Sequence, residues 1–245
     1  MIVSTTTSRT RRALALALAL LIPASSAVAQ QPAKADDPKP AAAQLTAAQI
    51  TEKMQAFYNS TADFQATFKQ TFTEVAAGDK KVSIGRVYFK KPGKMRWDYY
   101  DAKDPKTRTR IMVSDGSAFW IYEPKFKQVF KQCLSGSKLP TSIRFLMGQG
   151  DLNKEFNITL TKKSTPQLPE LSLIPKTPTS KYKELRFVVD PGTFQVLKTT
   201  VYDPYGNTNE IVFKNPLLNK NLPNTGFVFT QPKDARLLTP KEDCK

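Results

Sequence analysis

Apolar positions recur at helical spacing first and at strand spacing afterwards. Over Leu45 to Tyr58 the apolar residues fall on one side of a helix, which predicts an amphipathic helix. The period then changes to two. In "DFQATFKQTF" the apolar residues that share one face of a predicted strand are Phe64, Ala66, Phe68 and Phe72.

The next stretch, "GRVYFKKPGKMRWDYYD", predicts two strands joined by a charged turn. Pro92-Gly93 suits the centre of a type II turn. A four-residue turn over 91–94 would set Phe89 and Met95 on opposite faces, whereas a longer loop or a bulge would reverse this. The alternating residues of the return strand are Met95, Trp97 and Tyr99.

The rest of the chain predicts a long series of short strands. "RIMVSDGSAFWIYEP" is a hairpin signal around Asp115-Gly116, and "TSIRFLMGQGDL" predicts a short helix over 141–147. A Pro-rich loop is expected over 165–179, and "GFVFTQP" is expected to be the last strand. Ten or eleven strands in an antiparallel series, with two helices, predict a mainly β (α+β) barrel or half-barrel.

Such a wide sheet can leave room for a ligand, and its strand faces are rich in Phe, Met, Trp and Tyr. An ordinary sandwich core is the alternative, and spacing alone favours it. Two amphipathic helices are available to cover an open barrel.

Residues 1–29 have the order of an export signal, with three arginines before the apolar run Ala13–Ile22 and small residues at 27–29. The run is too short for a membrane span, although a retained anchor is the alternative. The route of export, general or twin-arginine, stays open. We expect cleavage after Ala29, a flexible linker over 30–44 and one domain over 45–245 in the periplasm.

The charge and the missing residue types exclude several functions. Without the signal arginines, 34 basic and 21 acidic residues leave a net charge of +13, which favours anionic partners. Basic runs such as Lys106 to Arg110 are more often solvated surface than sites, and no nucleic-acid binding is expected. The chain has no histidine, which excludes imidazole bases and the usual hydrolase triads and zinc sites. We expect no enzyme activity, cofactor or metal.

The chain has two widely spaced cysteines, Cys133 and Cys244. In an oxidising compartment they could form a disulfide that holds the C-terminus to the domain. Two unpaired thiols are the alternative.

Five segments in order resemble the periplasmic lipoprotein carrier LolA family: "GRVYFKKPGKMRWDY", "MVSDGSAFWIYEPKFKQV", "TSIRFLMGQGDL", "FQVLKTTVYDPYGNTNEIVF" and "FVFTQPKDARLL". The resemblance covers residues 45–238. It implies an unclosed antiparallel barrel of about eleven strands with a helical lid over an apolar cavity for lipoprotein acyl chains. The expected partners are lipoproteins, an inner-membrane releasing complex and an outer-membrane acceptor, and a monomer is expected.

The resemblance also assigns roles to individual residues. The expected cavity residues are Phe64, Phe68, Val87, Phe89, Trp97, Tyr99, Val113 and Trp120. The expected lid residues are Met54, Tyr58, Ile143, Phe145 and Leu146.

Lys91 and Met95 are the expected latch and partner-facing rim. The family has an arginine at the position of Lys91, where it holds the lid closed. Since an ammonium cannot make a guanidinium's forked contacts, we expect a looser latch here.

Two other functions stay open. The same cavity would suit a binding protein for another amphiphile, such as a glycolipid. A sensor or interaction module on the same half-barrel would use its outer surface and need no empty interior.

Overall fold

The computed structural model describes residues 45–134, 145 and 150–238. About half of them lie in a single β-sheet. Its strands are β1 Asp63–Glu74, β2 Asp79–Lys90, β3 Lys94–Tyr100, β4 Arg108–Asp115, β5 Ala118–Glu123, β6 Gln128–Cys133, β7 Phe156–Leu160, β8 Glu170–Pro175, β9 Glu184–Val189, β10 Val196–Tyr202, β11 Thr208–Leu218 and β12 Arg236–Leu238. The helices with described bounds are α1 Ala47–Ser60 and α2 Leu152–Glu155, Phe145 is also helical, and short 3-10 turns lie at Pro124–Phe126 and Asn224–Phe227.

The strands follow the order β12-β6-β5-β4-β3-β2-β1-β11-β10-β9-β8-β7. Neighbours are antiparallel except β12, which pairs in parallel with β6. The two outermost strands, β12 and β7, are not paired with each other, so the sheet is unclosed. The predicted mainly β, unclosed barrel is therefore confirmed, with twelve strands where about eleven were expected.

Helix α1 begins with a reciprocal cap. The Thr46 side chain accepts a hydrogen bond from the Gln49 amide, and the Gln49 side chain accepts one from the Thr46 amide. The residues that α1 buries are Ile50, Thr51, Met54 and Tyr58. This is the apolar side that the sequence predicts, and the helix ends two residues later than expected. Within the described part of the chain, no helix is both long and apolar enough to cross a membrane.

Strands β1 and β2 pair along their whole length and place the predicted apolar residues together. Phe64 lies opposite Phe89, and Phe68 lies opposite Gly85. A Cβ atom on Gly85 would lie 2.5 Å from the Phe68 ring and 2.3 Å from the Asp98 carbonyl oxygen. Only glycine therefore fits at position 85.

The turn between β2 and β3 differs from the prediction. Lys90 pairs with Lys94, so only residues 91–93 connect the strands. The Lys91–Pro92 peptide is cis and Gly93 has a φ of 62°, in place of the predicted type II turn. Phe89 pairs directly with Met95, and the two residues therefore share a face.

Two predictions for the second half of the chain are wrong. The segment expected to be a Pro-rich loop contains β8, in which Leu171 and Leu173 are fully buried. Pro175, at the end of β8, is paired with a residue of the neighbouring strand. The other prolines of this segment lie outside β8. The expected strand "GFVFTQP" instead begins in the 3-10 turn Asn224–Phe227 and continues without strand structure.

The inner face of the sheet is defined here as the face that carries Phe68, Trp97 and Phe187, and α1 packs on it. Two groups of buried residues lie there. The helix cluster consists of Ile50, Met54, Tyr58, Phe145, Leu152, Phe156, Leu171, Leu173, Leu185, Phe187, Val189 and Val196. The hairpin cluster consists of Phe64, Ala66, Phe68, Val87, Phe89, Met95, Trp97 and Phe213.

Candidate functional site

Five of the predicted cavity residues lie in the hairpin cluster, and a sixth, Tyr99, packs against it. Their rings touch mostly edge to face. The Phe68 centroid lies 4.9 Å from that of Trp97 and 5.0 Å from that of Tyr99, and Phe89 lies 5.8 Å from Trp97. These side chains therefore form one continuous aromatic surface on the inner face.

Trp97 lies at the centre of this surface and is 4% exposed. Its indole Nε1 donor has no hydrogen-bond partner among the residues that the structure describes. A buried donor without an acceptor costs about 1–3 kcal/mol. Trp97 is thus a polar group within apolar surroundings that a ligand oxygen would satisfy.

Tyr99 lies at the edge of the hairpin cluster. Burial raises the pKa of Tyr99 to about 12, although the nearby Arg110 guanidinium lowers it. The phenol therefore stays neutral at physiological pH and adds apolar ring surface to the cluster.

Two predicted cavity residues face the other way. Trp97 pairs with Met112, whereas Val113 pairs with Trp120 on the outer face. There Trp120 stacks on Phe229, with centroids 6.1 Å apart. The segment after β11 covers this part of the outer face, so Val113 and Trp120 are buried or half-buried without lining the inner one.

Several inner-face residues were missed by the sequence analysis. Phe213 from β11 completes the hairpin cluster, with its ring 6.0 Å from Phe64. Met112 and Phe119 pack against the cluster from β4 and β5. Alternation indicated these positions, but it could not tell which of the two faces of β4 pointed inward.

The predicted lid residues that the structure describes lie in the helix cluster. Met54 is fully buried, and Phe145 is helical and 1% exposed. The Tyr58 hydroxyl accepts a hydrogen bond from the Val196 amide at 3.1 Å, and burial raises the pKa of Tyr58. Ile143 and Leu146 lie outside the described residues.

Lys91 joins the turn of the hairpin to the end of α1. Its Nζ atom donates hydrogen bonds to the carbonyl oxygens of Tyr58, at 2.7 Å, and Asn59, at 2.8 Å. The last turn of α1 contains no basic residue of its own. Lys91 therefore supplies the positive charge that favours a helix C-terminus, and burial lowers the pKa of Lys91.

Met95 does not lie at an exposed rim. It pairs with Phe89 and Ser114, which sets its side chain on the inner face, and it is fully buried in the hairpin cluster. Ser114 connects two turns beside it, since its Oγ atom donates to the Gly93 carbonyl oxygen and accepts from the Gly116 amide, both at 3.1 Å. The residues that remain accessible at this turn are Lys91, Pro92, Gly93 and Lys94.

Cys133 is 8% exposed and disulfide-bonded. Cys244 lies outside the described residues, so the pairing of these two residues stays a prediction. Among the residues that the structure describes, no group of three or more His, Cys, Asp and Glu side chains is placed to hold a metal ion.

Comparisons with known proteins identify the family that the chain resembles. The family model described as "Outer membrane lipoprotein carrier protein LolA" matches residues 59–230. An outer-membrane lipoprotein carrier protein of Methylobacillus flagellatus is 28% identical over 185 residues, 75% of this chain and 86% of the relative. Another, of Chromobacterium violaceum, is 26% identical over 192 residues, 78% of this chain and 88% of the relative.

One solved structure also resembles the chain. It is an uncharacterized conserved protein from Thermus thermophilus, with a TM-score of 0.51 and 13% sequence identity, and the match covers 79% of this chain and 99% of that one. This likeness is evidence for the fold alone.

Proposed function

Because the chain belongs to the LolA family of outer membrane lipoprotein carrier proteins, we propose that it carries lipoproteins through the periplasm. In this proposal the acyl chains bind against the inner face, between α1 and the hairpin cluster. The protein receives them from an inner-membrane releasing complex and passes them to an outer-membrane acceptor. The observation that carries the proposal is the aromatic surface around Trp97 on the inner face of an unclosed sheet.

The energetics explain why such a carrier needs a large apolar surface. Each buried methylene is worth about 0.8 kcal/mol, so one acyl chain of about 16 carbons resists leaving a membrane by on the order of 10 kcal/mol. A carrier must offer a comparable environment in water. The side chains of the hairpin cluster are at most 7% exposed, so they already contact one another. Acyl chains can enter only if these side chains rearrange or if α1 moves.

The polar end of an acyl chain has a place in the proposed site. An ester or amide carbonyl oxygen next to Trp97 would accept the hydrogen bond that its indole N–H now lacks. A bound lipid would thereby remove the cost of a buried, unsatisfied donor.

The test is binding of a tripalmitoylated lipopeptide, measured by native mass spectrometry of the mature protein. Trp97→Glu places a charge in the apolar cluster and should abolish binding. The matched control is Trp120→Glu, the same change on the outer face, which should retain it. Trp97→Phe keeps a ring but removes the donor, and we expect weaker binding with little change in stability.

Two outcomes would overturn the proposal. If both glutamate variants fold and bind the lipopeptide as the wild type does, the inner face is not the acyl site. If protein prepared from the periplasm carries a glycolipid and takes up no lipopeptide, the chain binds a different amphiphile.

A further inference from the structure

A groove on the outer face is a second candidate binding site, separate from the inner face. It encloses about 850 Å³ and lies on the surface of β11, β1, β2, β3 and β4, with the loop after β3 at one end. Its side chains come from the pairs Thr67–Lys214, Thr67–Arg86 and Ile84–Tyr100, which are opposite one another in the sheet. The groove is therefore built by the register of five strands.

The groove is strongly basic. Its cations are Lys69, Arg86, Lys106, Arg108 and Lys214, and none of the described residues that line it carries a carboxylate. All five side chains are exposed. Within the described ranges, no carboxylate lies within ion-pair distance of Lys69, Arg86, Lys106 or Lys214. Like charges gathered on one face of a sheet repel one another, so an anion there would relieve that repulsion.

The acidic residues next to the groove are already engaged. Asp98 lies opposite Arg86 in the sheet, but its carboxylate is 2.9 Å from Arg96 Nε and 4.0 Å from Arg108 Nε. In the adjoining loop, Asp101 accepts from the Lys103 amide, and Asp104 accepts from the Lys106 amide and the Thr107 hydroxyl. None of these carboxylates neutralises the four unpaired cations.

The size of the groove selects among anions. Five adjacent strands span about 19 Å at roughly 4.8 Å per strand, which is much wider than one phosphate group. An extended peptide covers that distance with about six residues. A membrane bound on this outer face would lie away from α1 and the inner face.

We propose that this groove binds an extended acidic peptide segment of a partner protein. Its carboxylates would make charge-assisted hydrogen bonds with Lys69, Arg86 and Lys214. The ring of Tyr100 and the side chain of Ile84 supply apolar contact between the cations. The site does not depend on acyl-chain binding, since it lies on the opposite face of the sheet.

The experiment measures fluorescence anisotropy of labelled hexaglutamate with the mature protein, and labelled hexaglutamine is the neutral control. We expect binding of hexaglutamate that weakens as salt is raised. The variant Lys69→Gln/Arg86→Gln should bind at least tenfold more weakly. The matched control is Lys162→Gln/Lys163→Gln, which loses the same charge from exposed lysines in the β7–β8 loop and should bind within twofold of the wild type.

Other outcomes overturn the proposal. Equal weakening by both double variants would mean that net charge alone attracts the peptide. If hexaglutamate does not bind, the groove is not an acidic-peptide site. If inorganic phosphate or phosphatidylglycerol vesicles bind through Lys69 and Arg86 while the peptide does not, the groove is a phosphate or membrane site. Because all four residues are exposed, folding of the variants is expected, and lipopeptide binding should be unchanged in each.

Discussion

The helix cluster and the hairpin cluster lie on the same face of one sheet, yet they differ in composition and in cover. Aromatic residues make up five of the eight in the hairpin cluster and four of the twelve in the helix cluster. Helix α1 contributes Ile50, Met54 and Tyr58 to the helix cluster and none to the other. The comparison indicates that the helix cluster anchors α1 to the sheet, whereas the hairpin cluster is a buried set of rings to which α1 contributes no residue.

The Lys91 side chain links the two regions. Lys91 follows the strand that carries Val87 and Phe89, and it donates to the last carbonyls of α1. Movement of the helix end must therefore break contacts with the hairpin turn. This geometry places Lys91 where the family resemblance led us to expect a latch, and its role as a latch stays a prediction.

The largest expected effect is on the helix cluster. Phe187 is fully buried there and stacks on Phe145 at 5.9 Å. Phe187→Ala should lower the free energy of unfolding by about 3–5 kcal/mol through lost burial and the cavity left behind. Urea denaturation measures this loss in the free energy of unfolding. The control is Ile174→Ala, because Ile174 in β8 is 46% exposed. A loss below about 1 kcal/mol would show that this cluster does not anchor the fold.

The sequence predicted the inner face well where alternation was unbroken. Phe64 and Phe68 in β1, and Trp97 and Tyr99 in β3, all belong to the surface that alternation suggested. Helix α1 followed from its periodicity and its cap. These features are local, because a strand or helix fixes the direction of each side chain from its neighbours in sequence.

Features that depend on how the strands pair could not be predicted. The face of Val113 follows from the pairing of β3 with β4, which shifts register between Tyr99 and Tyr100. The burial of Met95 follows from a three-residue connection. The outer groove needs Lys214 of β11 beside Thr67 of β1, a contact across 147 residues of sequence. No short motif indicates such a contact.

A second substitution tests how tightly the hairpin cluster is packed. Gly85→Ala would place a methyl group against the Phe68 ring and the Asp98 backbone, and the strands cannot move apart without losing hydrogen bonds. We expect a loss of about 1–3 kcal/mol in the free energy of unfolding, together with weaker lipopeptide binding. The control is Gly192→Ala, whose new methyl group would lie 3.5 Å from the nearest atom, Asp190 Oδ1. Equal stability of the two variants would mean that the cluster is loosely packed.

Substitution of Lys91, which links the clusters, should have a smaller effect on the free energy of unfolding. Lys91→Leu removes two hydrogen bonds from carbonyls at the end of α1, and we expect a loss of about 1 kcal/mol. Lys91→Arg should keep these bonds and tighten closure. Hydrogen exchange in the last turn of α1 measures the change directly, with Lys94→Leu in the same turn region as the control. The latch hypothesis fails if exchange and transfer of bound lipoprotein to an outer-membrane acceptor are the same in all variants.

The smallest expected effect near neutral pH comes from the ionisation of Tyr99 and Tyr58, which distinguishes the two clusters. Tyr99 beside the hairpin cluster has its pKa raised from 10.0 to about 12, and burial also raises the pKa of Tyr58 in the helix cluster. Below pH 10 both phenols are neutral whether the chain is folded or unfolded. As the pH rises from 10 to about 12, the unfolded chain loses these protons first, so the folded state becomes less stable.

Tyr99→Phe should therefore reduce the fall in unfolding free energy over that range, measured by urea denaturation at several pH values. The control is Tyr205→Phe, because Tyr205 is 86% exposed and loses little burial on unfolding. Tyrosinate absorbance should show Tyr99 ionising before Tyr58, since Tyr58 is almost completely enclosed and burial raises its pKa, although the Val196 amide that donates to its hydroxyl lowers it. Simultaneous ionisation of the two would mean that the clusters open together. The hairpin cluster could then not open while the helix cluster stays packed.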